Sequence, residues 1–301
     1  MFANRAKIHK IQANFKSGVN MAIYDGIIFS IKDNIATLTL RDGHNVFSPQ
    51  FMKEFTSISH SICDNKNIAA ITVKSSHPEY FSTGADLKHL YSILGNREQN
   101  HKYSQQVVQM FNAYSKIDKP IFVYSRQKAI GGGVYFFTAN KNAVAVLDKR
   151  ASFSFLNPSQ SGLIPIAGAP SLIDRIGKEN TEILLSGDEN GIQIFAKHAI
   201  KNGLVNGIKA SHDMEIGKTI QDHRKPINGK IAMSTQDIYP QGDAIIYPPV
   251  AAMVTEISHM ILAAPEKLDE RVAELLTENF MSEAGMNSIR KFNERTKIKT
   301  I

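Results

Sequence analysis

The sequence predicts a layered α/β fold, and three observations point to it. Short apolar stretches at 68–74, 121–125 and 143–147 have the length and flanking turns of buried strands. Segments of helical periodicity, at 49–63 and 101–118, precede the first and the second of them. Two small-residue turns, near residue 84 and near residue 132, each run from a strand toward a helix. Strands that alternate with helices make a mixed layer architecture.

The elements can be justified in order. Residues 26–33 and 34–42 read as a hairpin. Ile35, Thr37 and Thr39 alternate with Ala36, Leu38 and Leu40, the period of a half-buried strand, and Asp33-Asn34 supplies the turn. Ser48 suits a helix N-cap and Pro49 the first helical position. Phe51, Phe55, Ile58 and Ile62 then recur at helical spacing. His77-Pro78-Glu79 ends the strand at 68–74, and a helix starts near Ala85. Val107, Met110, Phe111, Tyr114 and Ile117 share one face of the helix at 101–118, which Lys119-Pro120 ends. A helix begins at 134–140, and a short strand follows at 152–155. Segments 168–176, 179–186 and 192–202 read as short helices, with Gly177, Gly187 and Gly203 at their stops. Three helical segments, 249–263, 267–282 and 284–296, close the chain. The expected organisation is an extension at 1–20, a core at 21–208, a polar and basic inserted region at 209–247, and a helical region at 248–301.

Composition bounds the function. A chain of 301 residues with 43% hydrophobic content holds one large domain or two small ones. No apolar run is long enough to cross a bilayer, so a membrane is not an expected partner. The single cysteine, Cys63, excludes an intramolecular disulfide and a Cys-based zinc site, and it reads as a packed thiol. The net charge of +7 favours anionic partners. The basic residues are dispersed and no nucleic-acid motif is present, so an anionic metabolite fits better than DNA or RNA. Residues 1–24 carry Arg5, Lys7, Lys10 and Lys16 and no acid. They are poor in Arg and Ser, so a cytoplasmic protein with an extension is expected, with a mitochondrial presequence as the alternative.

The chemistry-bearing stretch is Phe81-Ser82-Thr83-Gly84-Ala85-Asp86-Leu87-Lys88, answered by Ala129-Ile130-Gly131-Gly132-Gly133. Small residues let a ligand approach the backbone, and a helix N-terminus leaves N–H groups unpaired. Two such turns brought together would hold one oxygen between two N–H donors and favour it as it becomes negative. Either stretch alone reads more readily as an ordinary turn or close-packing point.

Their order resembles the crotonase family, also called the enoyl-CoA hydratase/isomerase superfamily. Further matches are Gly162-Leu163-Ile164-Pro165, Arg175-Ile176-Gly177, Leu184-Leu185-Ser186-Gly187, and Ala199 through Val205, over roughly residues 26–208. The resemblance implies a crotonase fold of repeated ββα units with C-terminal helices. It implies an acyl-CoA or acyl-carrier thioester as substrate, no cofactor beyond coenzyme A within that substrate, and a homo-oligomer, a trimer or a hexamer. It makes Ala85 and Gly132 the oxyanion donors and places Gly84, Asp86, Leu87, Lys88, Gly131 and Gly133 around the substrate. For Lys88, a place beside the coenzyme and a solvated surface stand level. For Asp86, a capping role is favoured over that of a base. His89, on the helix that follows, reads as a surface or packing residue.

One departure from the family pattern bears on the reaction. Typical hydratases of the family carry two glutamates, at positions that are Tyr135 and Pro158 here, the latter flanked by Asn157 and Ser159, which are expected beside the substrate. The acid that related thioester hydrolases use after the G-x-x-P proline is also missing, since Ile166 and Ala167 follow Pro165. The Asn-Gly usual before the second turn is Arg126-Gln127. Hydration needs both an acid and a base. An enolate-forming lyase or isomerase step, decarboxylation above all, is therefore expected, with Tyr135 either returning a proton or serving as a core aromatic. A catalytically silent acyl-CoA-binding relative, or an interaction subunit, is the alternative.

Overall fold

A computed structural model describes residues 20–187, 191–208 and 246–298. The expectations for an extension at 1–20 and an inserted region at 209–247 fall almost wholly outside those residues.

The first strands form a hairpin. β1 (Asn20–Ile23) pairs antiparallel with β2 (Ile27–Lys32), and β2 with β3 (Ile35–Leu40). Asp33 and Asn34 both take positive φ, 49° and 62°, the geometry of a tight hairpin turn. β4 (Val46–Phe47) leads into α1 (Pro49–Asp64). Ser48 caps α1, its hydroxyl accepting from the Phe51 N–H at 3.1 Å, and Phe51, Phe55, Ile58 and Ile62 are buried as the spacing predicts.

From β5 (Ala70–Ser75) onward the chain repeats one unit. A long strand enters the main sheet, a short strand enters a second sheet, and helix follows. β5 is followed by β6 (Tyr80–Ser82), β7 (Gly84–Ala85), α2 (Leu87–Ser92) and α3 (Arg97–Ser115). β8 (Ile121–Ser125) is followed by β9 (Lys128–Ile130), a 3-10 turn (Gly131–Val134) and α4 (Tyr135–Thr138). β10 (Ala143–Leu147) is followed by β11 (Ser152–Phe155), α5 (Pro158–Ser161), α6 (Ala169–Ile176) and α7 (Lys178–Ser186). β12 (Ile192–Phe195), α8 (Ala196–Lys201) and β13 (Gly207–Ile208) complete the core. The main sheet runs β1-β2-β3-β5-β8-β10-β13, parallel from β3 on, and the second runs β12-β11-β9-β6. A small sheet pairs β4 with β7 in parallel. This is the expected crotonase architecture.

Two expectations need correction. The segment at 192–202 is not one helix. Ile192 to Phe195 alternate buried and exposed and pair antiparallel with β11, so period two prevails there and α8 begins only at Ala196. α3 starts earlier than residue 101, because the Asn96 side chain accepts from the Gln99 N–H at 3.0 Å and caps it.

The last helices, α9 (Pro248–Ala263), α10 (Leu268–Met281) and α11 (Glu283–Ile298), pack on this chain's own core. α10 lies along α3, and the Asn279 side chain accepts from Ile164 N–H and donates to Gly162 O.

Phe136 is the centre of the aromatic core. Its ring meets Phe47, Phe51, Phe55, Phe81, Phe111 and Tyr114 with centroids 5.3 to 6.4 Å apart. It is fully buried. Phe136→Ala is expected to cost about 3–5 kcal/mol, the range for emptying such a site, read from the shift of a urea unfolding curve.

Candidate active site

The site begins with a strand pairing. β6 and β9 are parallel neighbours, Tyr80 opposite Lys128 and Ser82 opposite Ala129, with an irregularity between them. Parallel neighbours end on the same side of a sheet. The residues that follow them, Gly84-Ala85 and Gly131 to Val134, are therefore brought side by side.

The approach is close enough to demand glycine. A Cβ on Gly84 would lie 2.9 Å from the Gly132 nitrogen and 3.1 Å from the Ile130 oxygen, and Gly84 has φ of +78°. A Cβ on Gly132 would lie 2.8 Å from Phe47 Cε2. Gly133 backs onto the Ser82 carbonyl, and Gly131 faces Pro165.

Two backbone donors result. Gly132 is the second residue of its 3-10 turn, so its N–H has no acceptor within the turn. The Asp86 N–H points toward β4, donating to Tyr103 Oη at 2.9 Å, while that hydroxyl donates to Phe47 O at 2.9 Å. Ala85 follows the positive-φ Gly84 and stands opposite Phe47 in the pairing of β4 with β7. Outside helix and strand pairing, neither the Ala85 N–H nor the Gly132 N–H donates to another backbone group among the described residues.

The side chains around these donors are mostly structural. Asp86 caps α2, its Oδ1 accepting from Lys88 N–H at 3.1 Å and His89 N–H at 3.0 Å. Leu87 packs on the core, Lys88 is exposed, and His89 lies on the Tyr103 ring with centroids 5.5 Å apart. Asn157 caps α5, its Oδ1 accepting from Ser159 N–H at 2.8 Å and Ser159 Oγ at 2.7 Å. Pro158 between them is buried.

Tyr135 is placed as the core aromatic of its two readings. It is fully buried, and its hydroxyl donates to Pro165 O. Phe111 meets its ring edge-on at 5.6 Å, and a Cβ on Gly168 would lie 2.2 Å from Tyr135 Cγ. Burial raises its pKa well above the ordinary tyrosine value and keeps the phenol neutral. That placement does not support the proton-return role. The buried carboxylates among the described residues are all engaged: Glu54 accepts from Gly26 N–H, Asp148 pairs with Arg150, and Glu182 pairs with Lys178.

Three residues that hold the turns, Phe47, Tyr103 and Asn45, were not singled out from sequence, and a fourth, Gln127, was noted only as a departure from the family pattern. Phe47 and Tyr103 position Asp86. Asn45 donates to Phe81 O at 2.8 Å and to Ser75 Oγ at 2.9 Å. Gln127 accepts from Arg126 N–H and donates to His77 O at 3.0 Å, so the altered dipeptide ties the second turn to the loop before the first. The signal available for Asn45 was its place in the turn-forming run Asp42-Gly43-His44-Asn45, where it takes φ of 52°.

Comparison with known proteins agrees with this fold. The family model described as enoyl-CoA hydratase/isomerase matches residues 30–236. The chain belongs to the enoyl-CoA hydratase/isomerase family. Solved structures share its fold. An enoyl-CoA hydratase from Bacillus halodurans is similar at 18% identity and a TM-score of 0.66, over 88% of this chain and 99% of that one. An enoyl-CoA hydratase/isomerase from Mycobacterium paratuberculosis is similar at 15% identity and 0.64, over 89% and 99%. An enoyl-CoA hydratase from Mycobacterium avium is similar at 17% identity and 0.64, over 91% and 98%. Among the described residues no helix is long and apolar enough to cross a membrane.

The loop before the first turn is pH-sensitive. His77 Nδ1 accepts from Glu79 N–H at 3.0 Å and Tyr80 N–H at 2.9 Å, which requires an unprotonated Nδ1. Burial and the neighbouring His44 hold its pKa below the ordinary value. The unfolded chain therefore binds this proton at higher pH than the folded one. The contribution is complete above about pH 6.5 and declines as pH falls through the lower folded value. His77→Ala is expected to flatten the fall of stability below about pH 6.5, measured by urea unfolding across a pH series.

Proposed function

We propose that this family member binds an acyl-CoA or acyl-carrier thioester with the carbonyl oxygen between the N–H groups of Ala85 and Gly132, and stabilises the enolate that forms there. The observation that supports this reading is the contact of Gly84 with Gly132, which brings the backbones of the two turns together. Two hydrogen bonds to a developing oxyanion lower the barrier of any step that passes through one, and losing one donor costs about 2.7–4 kcal/mol. Coenzyme A enters as part of the substrate.

The reaction favoured is decarboxylation of a malonyl-type thioester. The bond between the α-carbon and the carboxylate breaks, carbon dioxide leaves, and the electron pair passes into the enolate. Water then returns a proton to the α-carbon. This route asks nothing of a side chain at position 135 or 158, and neither position offers a carboxylate. The core role of Tyr135 favours a second reading, a silent relative that binds thioesters without turnover. For assembly we propose a homo-oligomer, a trimer or hexamer. α9 buries only Val250, Val254 and Ile257, and Leu262 near its end is 84% exposed. Sedimentation velocity is expected to show one species larger than the 33.4 kDa chain, and a monomer at all concentrations would overturn that part.

The reaction test compares crotonyl-CoA with malonyl-CoA and methylmalonyl-CoA on one preparation. Hydration of crotonyl-CoA is expected to be very slow, since general acid–base assistance worth about 10²–10⁴-fold per group is absent. Release of carbon dioxide from a malonyl-type thioester is expected, and Gly132→Pro, which removes one donor, should abolish it. Binding without any turnover would decide for the silent relative. Fast hydration would refute both readings.

A further inference from the structure

Two buried hydroxyls make the same connection on either side of Ala85. Ser82 Oγ donates to Asn45 O at 2.7 Å and accepts from Gly84 N–H at 3.2 Å. Tyr103 Oη donates to Phe47 O at 2.9 Å and accepts from Asp86 N–H at 2.9 Å. Asn45 and Phe47 flank Val46, which stands opposite Gly84 in the pairing of β4 with β7. Each hydroxyl therefore joins the chain at β4 to an N–H next to that of Ala85.

Neither side chain is open to a ligand. Ser82 is 0% and Tyr103 1% exposed. A hydroxyl has one proton to give, and in both cases a backbone carbonyl already receives it. Burial raises the Tyr103 pKa well above the ordinary tyrosine value, so the phenol keeps that proton. Any influence on a bound molecule must pass through the backbone.

That backbone needs holding. Gly84, at φ of +78°, is required by the close approach to Gly132 and is also the most permissive joint of the turn. A peptide group is planar and moves as one body. The peptide groups that carry the Gly84 and Asp86 N–H are both tied, which fixes the chain at each end of the group between them, the one that carries the Ala85 N–H. What remains to that group is rotation about its own ends. Ala85, which has a Cβ where Gly84 has none, confines this rotation sterically. A hydrogen bond weakens steeply as its angle departs from linear, so the orientation of this N–H matters to any acceptor it meets.

We propose that Ser82 and Tyr103 are positioning residues for thioester recognition: their hydroxyls hold the chain on both sides of Ala85 and thereby aim its N–H at the thioester carbonyl. The proposal rests on the reading of Ala85 and Gly132 as the donors to that carbonyl.

The test compares a ligand that has the carbonyl with one that lacks it. The full chain is titrated calorimetrically with acetyl-CoA and with S-ethyl-CoA, the thioether that keeps the coenzyme and has no carbonyl oxygen. The wild-type protein is expected to bind acetyl-CoA at least about fivefold more tightly, as two neutral hydrogen bonds imply. Tyr103→Phe and Ser82→Ala are each expected to lower that ratio by at least about twofold, the share of one such bond, through weaker binding of acetyl-CoA alone. Ser59→Ala removes an equally buried hydroxyl, one that donates to Phe55 O within α1, and is expected to leave the ratio unchanged. Urea unfolding establishes that each variant is folded, and if Tyr103→Phe does not fold, Ser82→Ala decides. A ratio kept in either folded variant overturns the proposal and leaves the thioester reading in place. So does an equal loss of affinity for both ligands, which a general loosening of the fold would give. No discrimination between the two ligands by the wild-type protein overturns the thioester reading and this proposal with it.

Discussion

The structure depends on one close approach, the backbone of Gly84 against that of Gly132. No side chain fits between them, since a Cβ at position 84 would stand 2.9 Å from the opposite nitrogen. The approach is produced from below. β6 and β9 are parallel neighbours in one sheet, so the turns leaving them emerge together. It is held from the sides as well. Phe47 lies under Gly132, and Tyr103 joins β4 to the start of α2 through two hydrogen bonds. The two turns are thus fixed against each other by strand pairing and core packing, as the proposed stabilisation of a transient charge would require.

The helix after the glycine turn explains how the turn is anchored and what the anchoring excludes. Tyr135, Phe136 and Phe137 are all fully buried in the four-residue α4. Phe136 gathers the aromatic rings of β4, α1, β6 and α3, so the 3-10 turn is the outer end of a packed core element. Tyr135 does the same work toward α6, with its hydroxyl on Pro165 O and its ring on Gly168. A position that in typical hydratases of the family is expected to carry a glutamate here carries packing.

Much of this was legible in the sequence, for physical reasons that can be named. The apolar runs at 121–125 and 143–147 coincide with β8 and β10 because strands buried on a parallel sheet are apolar throughout. Ser48-Pro49 marked the start of α1, and Gly177 and Gly187 marked helix ends, where they take φ of 85° and 64°. The short strands were less legible. β7 and β13 have two residues each, too few to show any period, and β12 was absorbed into α8 because Ile192, Phe195, Ala196 and Ala199 also fit helical spacing. The supports of the site were hidden for a different reason. Phe47, Asn45, Tyr103 and Gln127 act through contacts 30 to 56 residues away in the chain, which no local pattern records.

The separation of backbone chemistry from side-chain chemistry is the remaining step. An oxyanion hole made of main-chain N–H groups is specified by turn geometry, and substitution of a neighbouring side chain leaves it in place. General acid–base groups are specified by side-chain identity, and a single replacement removes them. In this chain the first kind of machinery has the glycines, the strand pairing and the packed support it needs. At 135 and 158 the second kind has given way to a phenol tied to a carbonyl and a buried proline. Under the proposed reading, the two turns would stabilise negative charge on a thioester oxygen, while positions 135 and 158 supply no group to deliver or remove protons. On that reading, reactions whose charge arises from loss of a neutral fragment suit the site, and reactions that begin with proton abstraction do not.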